Sequence, residues 1–423
     1  MMPQPKLAAA PVSPAAVGDS GGGQKWSAVT VLYAAFALTG FTTALLGPAL
    51  PALSERLHIS DSQAGRFFIA HFLGGFVAAL ASSATLRRFS ARRTVIAAFI
   101  AISCGFAAAA FLEWPIILGA VALYGAGIGL AIPTITVIAA SQPSLRRRTG
   151  SAAALNWINF VWGLGALAAP SAISLMLAQW SQPAVYAWIA AVAGLTAIAL
   201  STTIERERDA SRRPSVVRRS VSPPNILLTA LTSILLFLYV GSEASIAGWT
   251  PLWVARTGAP KTLIGIPASC FWGGILAARF MGPFILRYFG PSYAILAGIA
   301  LSSVGLITAA FGSFVALVAC GAIAGLGFGM IFPTAVSVFC DRAGSEASRT
   351  INFLFASAGL GGAVVPFCIG WIVSIGGGFR GGILAILCCT AAMALVEVAI
   401  ASATTSYCRQ VDAEVPRVLR SRN

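Results

Sequence analysis

With 423 residues, 57% of them hydrophobic and only 10% charged, this chain carries more apolar surface than a water-soluble fold could bury, so lipid must solvate most side chains. The formal net charge of +15 would raise nucleic-acid binding in a soluble protein, but here the basic residues sort by loop, which excludes that reading. Eight cysteines without C-x-x-C or Cys/His ligand spacing argue against a disulfide framework or a structural metal.

Residues 1–24, rich in Pro, Ala and Gly, read as a disordered cytoplasmic tail. They lack the basic start and apolar core of a cleavable signal, so the first helix is expected to act as an uncleaved one. Apolar runs then predict helices near 26–48, 62–85, 94–112, 116–140, 150–177 and 184–203. A polar stretch over 205–224, closing on Pro223-Pro224, reads as a flexible cytoplasmic linker. Further helices follow near 225–253, 262–286, 291–312, 314–340, 348–376 and 381–403, and a polar tail over 404–423. The expected organisation is an all-α integral membrane protein with six-helix bundles over 25–204 and 225–403. Twelve spans put both termini on one side. Twenty-two basic residues fall on that side and five on the other (Arg56, Arg66, Arg256, Lys261, Arg380), with Arg279 alone inside a span. The positive-inside rule makes the terminal side cytoplasmic and predicts a multi-pass protein of the cell membrane.

The two bundles repeat each other. Gly125, Gly127, Gly129, Pro133 and Thr134 recur as Gly325, Gly327, Gly329, Pro333 and Thr334, shifted by 200. Asn156, Gly163, Leu164, Gly165 and Pro170 recur as Asn352, Gly359, Leu360, Gly361 and Pro366, shifted by 196. Gly40 and Gly47 correspond to Gly241 and Gly248, shifted by 201. Because each half starts on the same side, these are parallel repeats about an axis along the membrane normal, a pattern of transporters that bind between rocking halves. The glycine rows have no preceding strand and no adjacent Lys-Ser/Thr, so dinucleotide and P-loop readings fail. They permit close helix approach instead. Pro133 and Pro333 are gate candidates through helix kinking.

Parallel six-span halves, a basic central linker and the Arg-rich tract Thr85-Leu-Arg-Arg-Phe-Ser-Ala-Arg-Arg93 together resemble the major facilitator superfamily. That family's loop signature is roughly G-x-x-x-D-R-x-G-R-R; here Leu86 stands near the place of the acid and Ser90 replaces the glycine. The tracts Tyr239–Trp249 and Phe271–Arg279 resemble the seventh and eighth spans of fucose-permease-like sugar transporters. The resemblance implies the major facilitator fold and alternating access. Those proton symporters use acids in their first and fourth spans, where this chain has none.

Several residues could carry chemistry. Glu243 is an acid in an apolar helix, costly unless protonated or paired, and is the leading proton-coupling candidate; His71, at similar depth, is the second, with a neutral structural histidine as its alternative. Asn156, Asn159 and Trp162 share one helix face and offer amides and an indole to a polar ligand, while Asn352 enters from the repeat-related helix. Interhelical hydrogen bonding is the competing role for the asparagines. Trp272 sits too deep for an interface anchor and suits stacking on a sugar ring. Trp249 is a candidate cavity roof, and Trp253 an interface anchor. Arg279 and Glu397 lie toward cytoplasmic helix ends, where pairing with loop acids such as Asp341 or Glu346 is available; Arg279 is read as an inner-gate element and Glu397 as structural. Scattered acids and two histidines do not make an enzyme site, and no cofactor is expected. The function expected is import of a neutral polar solute such as a monosaccharide, with proton symport open. Proton-coupled export of amphipathic drug-like compounds and uncoupled uniport are the alternatives. The expected partners are a small-molecule substrate, protons and the lipid bilayer, with no nucleic acid, and the chain is read as a monomer.

Overall fold

Long apolar runs close their backbone hydrogen bonds internally, the only open-ended way to cross hydrocarbon. In the computed structural model the backbone is described for residues 22–141, 143–204, 226–344 and 347–420, and side chains for 28–139, 157–204, 226–344 and 350–403. The tail expected before residue 25 and the linker over 205–224 therefore fall outside the described residues, except that the first helix already starts at Gly22. The helices are α1 (Gly22–Ala44), α2 (Leu46–Leu57), α3 (Asp61–Arg88), α4 (Ala91–Phe111), α5 (Ile117–Ser141), α6 (Pro143–Gln179) and α7 (Gln182–Thr203) in the first half. The second half holds α8 (Ile226–Arg256), α9 (Ile266–Tyr288), α10 (Pro291–Ala309), α11 (Phe314–Ala343), α12 (Ala347–Ile372) and α13 (Gly378–Arg420). Among the described residues no strand occurs.

The first span is broken rather than continuous: α1 and α2 meet at a 48° bend. At the other extreme, Thr350–Ala403 forms one apolar stretch of 54 residues, well over twice the roughly 20 that a single crossing needs. It divides over residues 373–378, where Gly376 and Gly378 take φ of +103° and +55°, which only glycine adopts without strain. Among the described residues ten helices are long and apolar enough to cross, eleven with the bent pair, and twelve once the 54-residue stretch is divided. Serine sets several helix starts. Ser60 and Gln63 form a reciprocal capping box at α3, and Ser90 and Ser313 accept from Arg93 and Ala316 at α4 and α11.

Inside each half the repeated glycines do the same job. A Cβ on Gly125 would lie 2.3 Å from the His71 carbonyl oxygen, and one on Gly325 would lie 2.1 Å from that of Phe271, so both helices need the missing side chain to touch their neighbours. Pro133 and Pro333 sit within α5 and α11, which remain helical through them.

The halves meet along α3 with α12, α6 with α9 and α2 with α8. The tightest contacts lie at the end away from the termini. Gly47 packs directly on Gly248, its own repeat counterpart; a Cβ on Gly47 would lie 2.9 Å from the Gly248 Cα. Gly65 abuts Phe367, and its counterpart Gly265 lies against Pro170, whose carbonyl oxygen would be 1.9 Å from an added Cβ. The Ser171 hydroxyl and the Ser269 hydroxyl bond at 2.8 Å, and Arg256 forms an ion pair with Asp61 at the rim. The seam is sealed on that far side.

Candidate functional site

Below the seal lies a cavity of about 240 Å³ between the halves. Helical spacing puts its walls together. Phe68, His71 and Phe72 come from one face of α3, and Trp162 from α6. Tyr239 and Glu243 stand one turn apart on α8, Trp272 and Arg279 two turns apart on α9, and Phe332 enters from α11. Gly47 and Gly248 form its roof together with Leu46 and Ala247.

The cavity is mostly apolar with a few polar groups. Trp162 and Trp272 face one another across the seam with ring centroids 5.8 Å apart at 80°, an edge-to-face pair. His71 is buried beside Phe72 and Tyr124, with centroids at 5.0 and 5.4 Å. Glu243 faces Arg279 and lies near the Tyr239 hydroxyl. The two charges do not touch: among the described residues the one ion pair is Arg256–Asp61. The Tyr239 hydroxyl lies close to both charged groups without a hydrogen bond of good geometry to either. Five buried polar atoms of the lining lack a protein partner: His71 Nδ1, Trp162 Nε1, Trp272 Nε1, Tyr239 Oη and Arg279 Nε. A buried donor left unpaired costs about 1–3 kcal/mol, so this convergence favours a ligand rich in hydrogen-bonding groups.

The sequence candidates separate clearly in space. Glu243, His71, Trp162 and Trp272 come together in the cavity. Arg279, expected at an inner gate and near loop acids, instead lines the same cavity and faces Glu243. Trp249 does not line it; its ring packs on Phe68 and its Nε1 donates to the Pro366 carbonyl at 3.0 Å. Trp253, expected as an interface anchor, is buried against Phe379. Asn159 and Asn352 are exposed and stand outside the lining, and the side chain of Asn156 lies outside the described residues. Pro133 and Pro333 do not reach the cavity. Glu397 is buried on α13, facing Ser292 of α10 and Arg342 of α11. Among the described residues no group of three metal-ligating side chains converges.

Tyr239 was not singled out in the sequence, although it stands four residues before Glu243 and so shares its helix face. The seven-residue spacing from Trp272 to Arg279 carried the same kind of signal. Both needed the cavity side of the helix to be known first.

Comparison with known proteins agrees with this architecture. The family described as Major Facilitator Superfamily matches residues 32–266 and 232–406. A glucose/galactose transporter of Brucella abortus biovar 1 (strain 9-941) is 25% identical over 378 residues, which cover 85% of this chain and 91% of the relative. Among solved structures, the nucleoside transporter NupG superposes with a TM-score of 0.71 at 14% identity, covering 90% of this chain and 98% of NupG. FucP in its outward conformation gives 0.56 at 17% identity, with 88% and 99% covered.

Proposed function

The chain belongs to the major facilitator superfamily, and from that premise we propose that it imports a neutral monosaccharide across the cell membrane by alternating access between its two halves. The observation that carries this reading is the cavity at the seam, lined by two indoles in edge-to-face contact, by Glu243 and by residues that hold five unpartnered polar atoms. A sugar ring offers what that lining needs: apolar faces for Trp162 and Trp272, and hydroxyls that donate to Glu243 and accept from the indoles, Tyr239 and Arg279. The name of the Brucella relative supports glucose and galactose as first candidates. Size favours a small solute over an amphipathic drug. The cavity, at about 240 Å³, falls below the roughly 300–1,000 Å³ typical of drug-sized sites.

In the cycle we propose, the basic terminal side faces the cytoplasm. The structure then has its outer seam shut, with Gly47 on Gly248 and Gly265 on Pro170. Opening that seam admits sugar from outside, and resealing it commits the sugar to the cytoplasmic side. Glu243 is the group on which any proton coupling would turn.

The test is uptake by proteoliposomes of a labelled panel containing D-glucose, D-galactose, D-xylose, L-fucose and uridine. Saturable uptake of one or more hexoses, lost in Trp272→Ala, is the expected result. Uptake of uridine alone, or of no sugar, would sink the reading. Labelling a cysteine in the 205–224 linker with an impermeant maleimide on intact cells tests orientation, and reaction from outside would reverse it.

A further inference from the structure

We propose that Arg256 changes partners during the cycle: it latches to Asp61 while the far side of the seam is shut, and turns back onto the carbonyl end of α10 when the seam opens. The inference rests on the alternating-access reading above and adds a gating device to it.

Two arginines stand at matching places in the repeat. Pro51, Arg56, His58 and Gly65 correspond to Pro251, Arg256, Gly258 and Gly265, each shifted by 200. The backbone keeps that register: α2 ends at Leu57 and α8 at Arg256, and His58 and Gly258 follow with positive φ of 50° and 78°. Arg56 stays within its own half. Its guanidinium donates to the Ala110 carbonyl at 2.6 Å and to the Leu112 carbonyl at 2.8 Å, where α4 ends. A helix end leaves its last carbonyls unpaired and carries partial negative charge, so charge-assisted bonds hold a guanidinium there. Arg256 behaves otherwise. It donates across the seam to the Asp61 carboxylate, at the start of α3.

The seat that Arg256 leaves is open. By the repeat, the counterparts of Ala110 and Leu112 are Ala310 and Gly312, just past the end of α10. Among the described residues no side chain donates to either carbonyl. Beside them lies a second cavity, of about 650 Å³, lined by Arg256 itself and by Gly312, Ser313, Trp253 and Phe314. Arg256 thus borders the seat already, and rotation of its side chain takes it there. The aromatic walls suit a guanidinium, which stacks on ring faces. The asymmetry has a cause in the sequence: the counterpart of Asp61 is Lys261. At the matching place across the seam Arg56 would meet a like charge, so it keeps to α4, whereas Arg256 is drawn to an acid. Opening the seam parts Asp61, in the N-terminal half, from Arg256, in the C-terminal half. The pair is partly exposed and gives little up on parting, and the α10 carbonyls then hold the arm back from the entrance.

The experiment follows the reaction of individual arginines with p-hydroxyphenylglyoxal in the full chain, held in lipid nanodiscs and read peptide by peptide by mass spectrometry. Arg380, which is exposed, and Arg56, bonded at the end of α4, mark the fast and slow limits. Asp61→Asn removes the latch and leaves the seam intact, while Gly265→Leu wedges the seam and leaves Asp61 intact. In both variants Arg256 is expected to react about threefold or more slowly than in the native protein, approaching Arg56, because a helix-end seat protects better than an exposed ion pair. A rate unchanged or raised toward that of Arg380 overturns the proposal, and either variant decides if the other fails to fold. A fall in Asp61→Asn alone, with none in Gly265→Leu, would also overturn it, since the seat would then be indifferent to the seam. Maleimide labelling of Leu46→Cys in the Gly265→Leu background reports separately whether the far side opens. Failure of alternating access is thereby told apart from failure of the exchange.

Discussion

Position for position, the repeat sets Leu38, Thr42, Phe72 and Ala79 of the N-terminal half against Tyr239, Glu243, Trp272 and Arg279 of the C-terminal half. The backbones do equivalent things: Gly125 and Gly325 each rest on the carbonyl of the residue one repeat apart, and Gly47 meets Gly248 across the seam. The side chains do not. Thr42 is buried and donates to the Leu38 carbonyl at 2.9 Å within its own helix, while its counterpart Glu243 reaches the cavity. Duplication thus preserved the helix frame, while the charged residues of the cavity lie in one half of it.

The sharpest way to break the shared frame is at the seam. Gly265→Leu would force a side chain onto the Pro170 carbonyl, where even a Cβ is too close, so the far side should not close. Abolished uptake is expected, together with new reactivity of a Leu46→Cys probe toward an impermeant maleimide from that side. Unchanged labelling would show that α9 slides clear of α6.

The chemical asymmetry is tested next. Trp272→Ala should raise the half-saturating glucose concentration about 10–100-fold, since burying such a ring against a ligand contributes about 1.5–3 kcal/mol. Its counterpart Phe72→Ala, an apolar wall without a polar handle, should cost less than about tenfold. Equal losses would mean that the two walls bind alike.

Smaller effects are expected at the rim. The Asp61–Arg256 pair is partly exposed, with Arg256 at 45%, and such pairs contribute about 0–1 kcal/mol. Asp61→Asn should therefore shift the balance toward the far-side-open state by at most about fivefold, less at high salt, measured by the same Leu46→Cys labelling. A loss of transport would give the pair a role beyond latching. The least effect is expected from Asn352→Ala, at an exposed position outside the lining, where flux should change by no more than about twofold.

Hydropathy made the spans legible because hydrocarbon imposes length and composition directly, and the glycine register made the repeat legible because close approach admits few residues. Glu243 stood out because a lone acid in an apolar helix is rare. The break between α1 and α2 left no such mark, and α8 extends three residues beyond its expected end to Arg256. Arg279 was placed by depth alone, toward a helix end where a long side chain can reach water; depth does not say which way a helix is turned. The asparagines carried two readings by chemistry, ligand contact and interhelical bonding, and Asn159 and Asn352 stand exposed and outside the cavity lining.

What the sequence determined by itself was the solvent, the number of crossings, the duplication and the scarcity of charge, each written in composition and period. Tertiary structure alone decided that Arg279 faces Glu243, that Trp249 serves Pro366 while Trp162 and Trp272 face the cavity, and that the seam is shut on one side. The reason is physical. Transfer into lipid is a sum over residues and can be read along a chain, but which face of each helix meets the cavity is fixed only when all twelve pack at once.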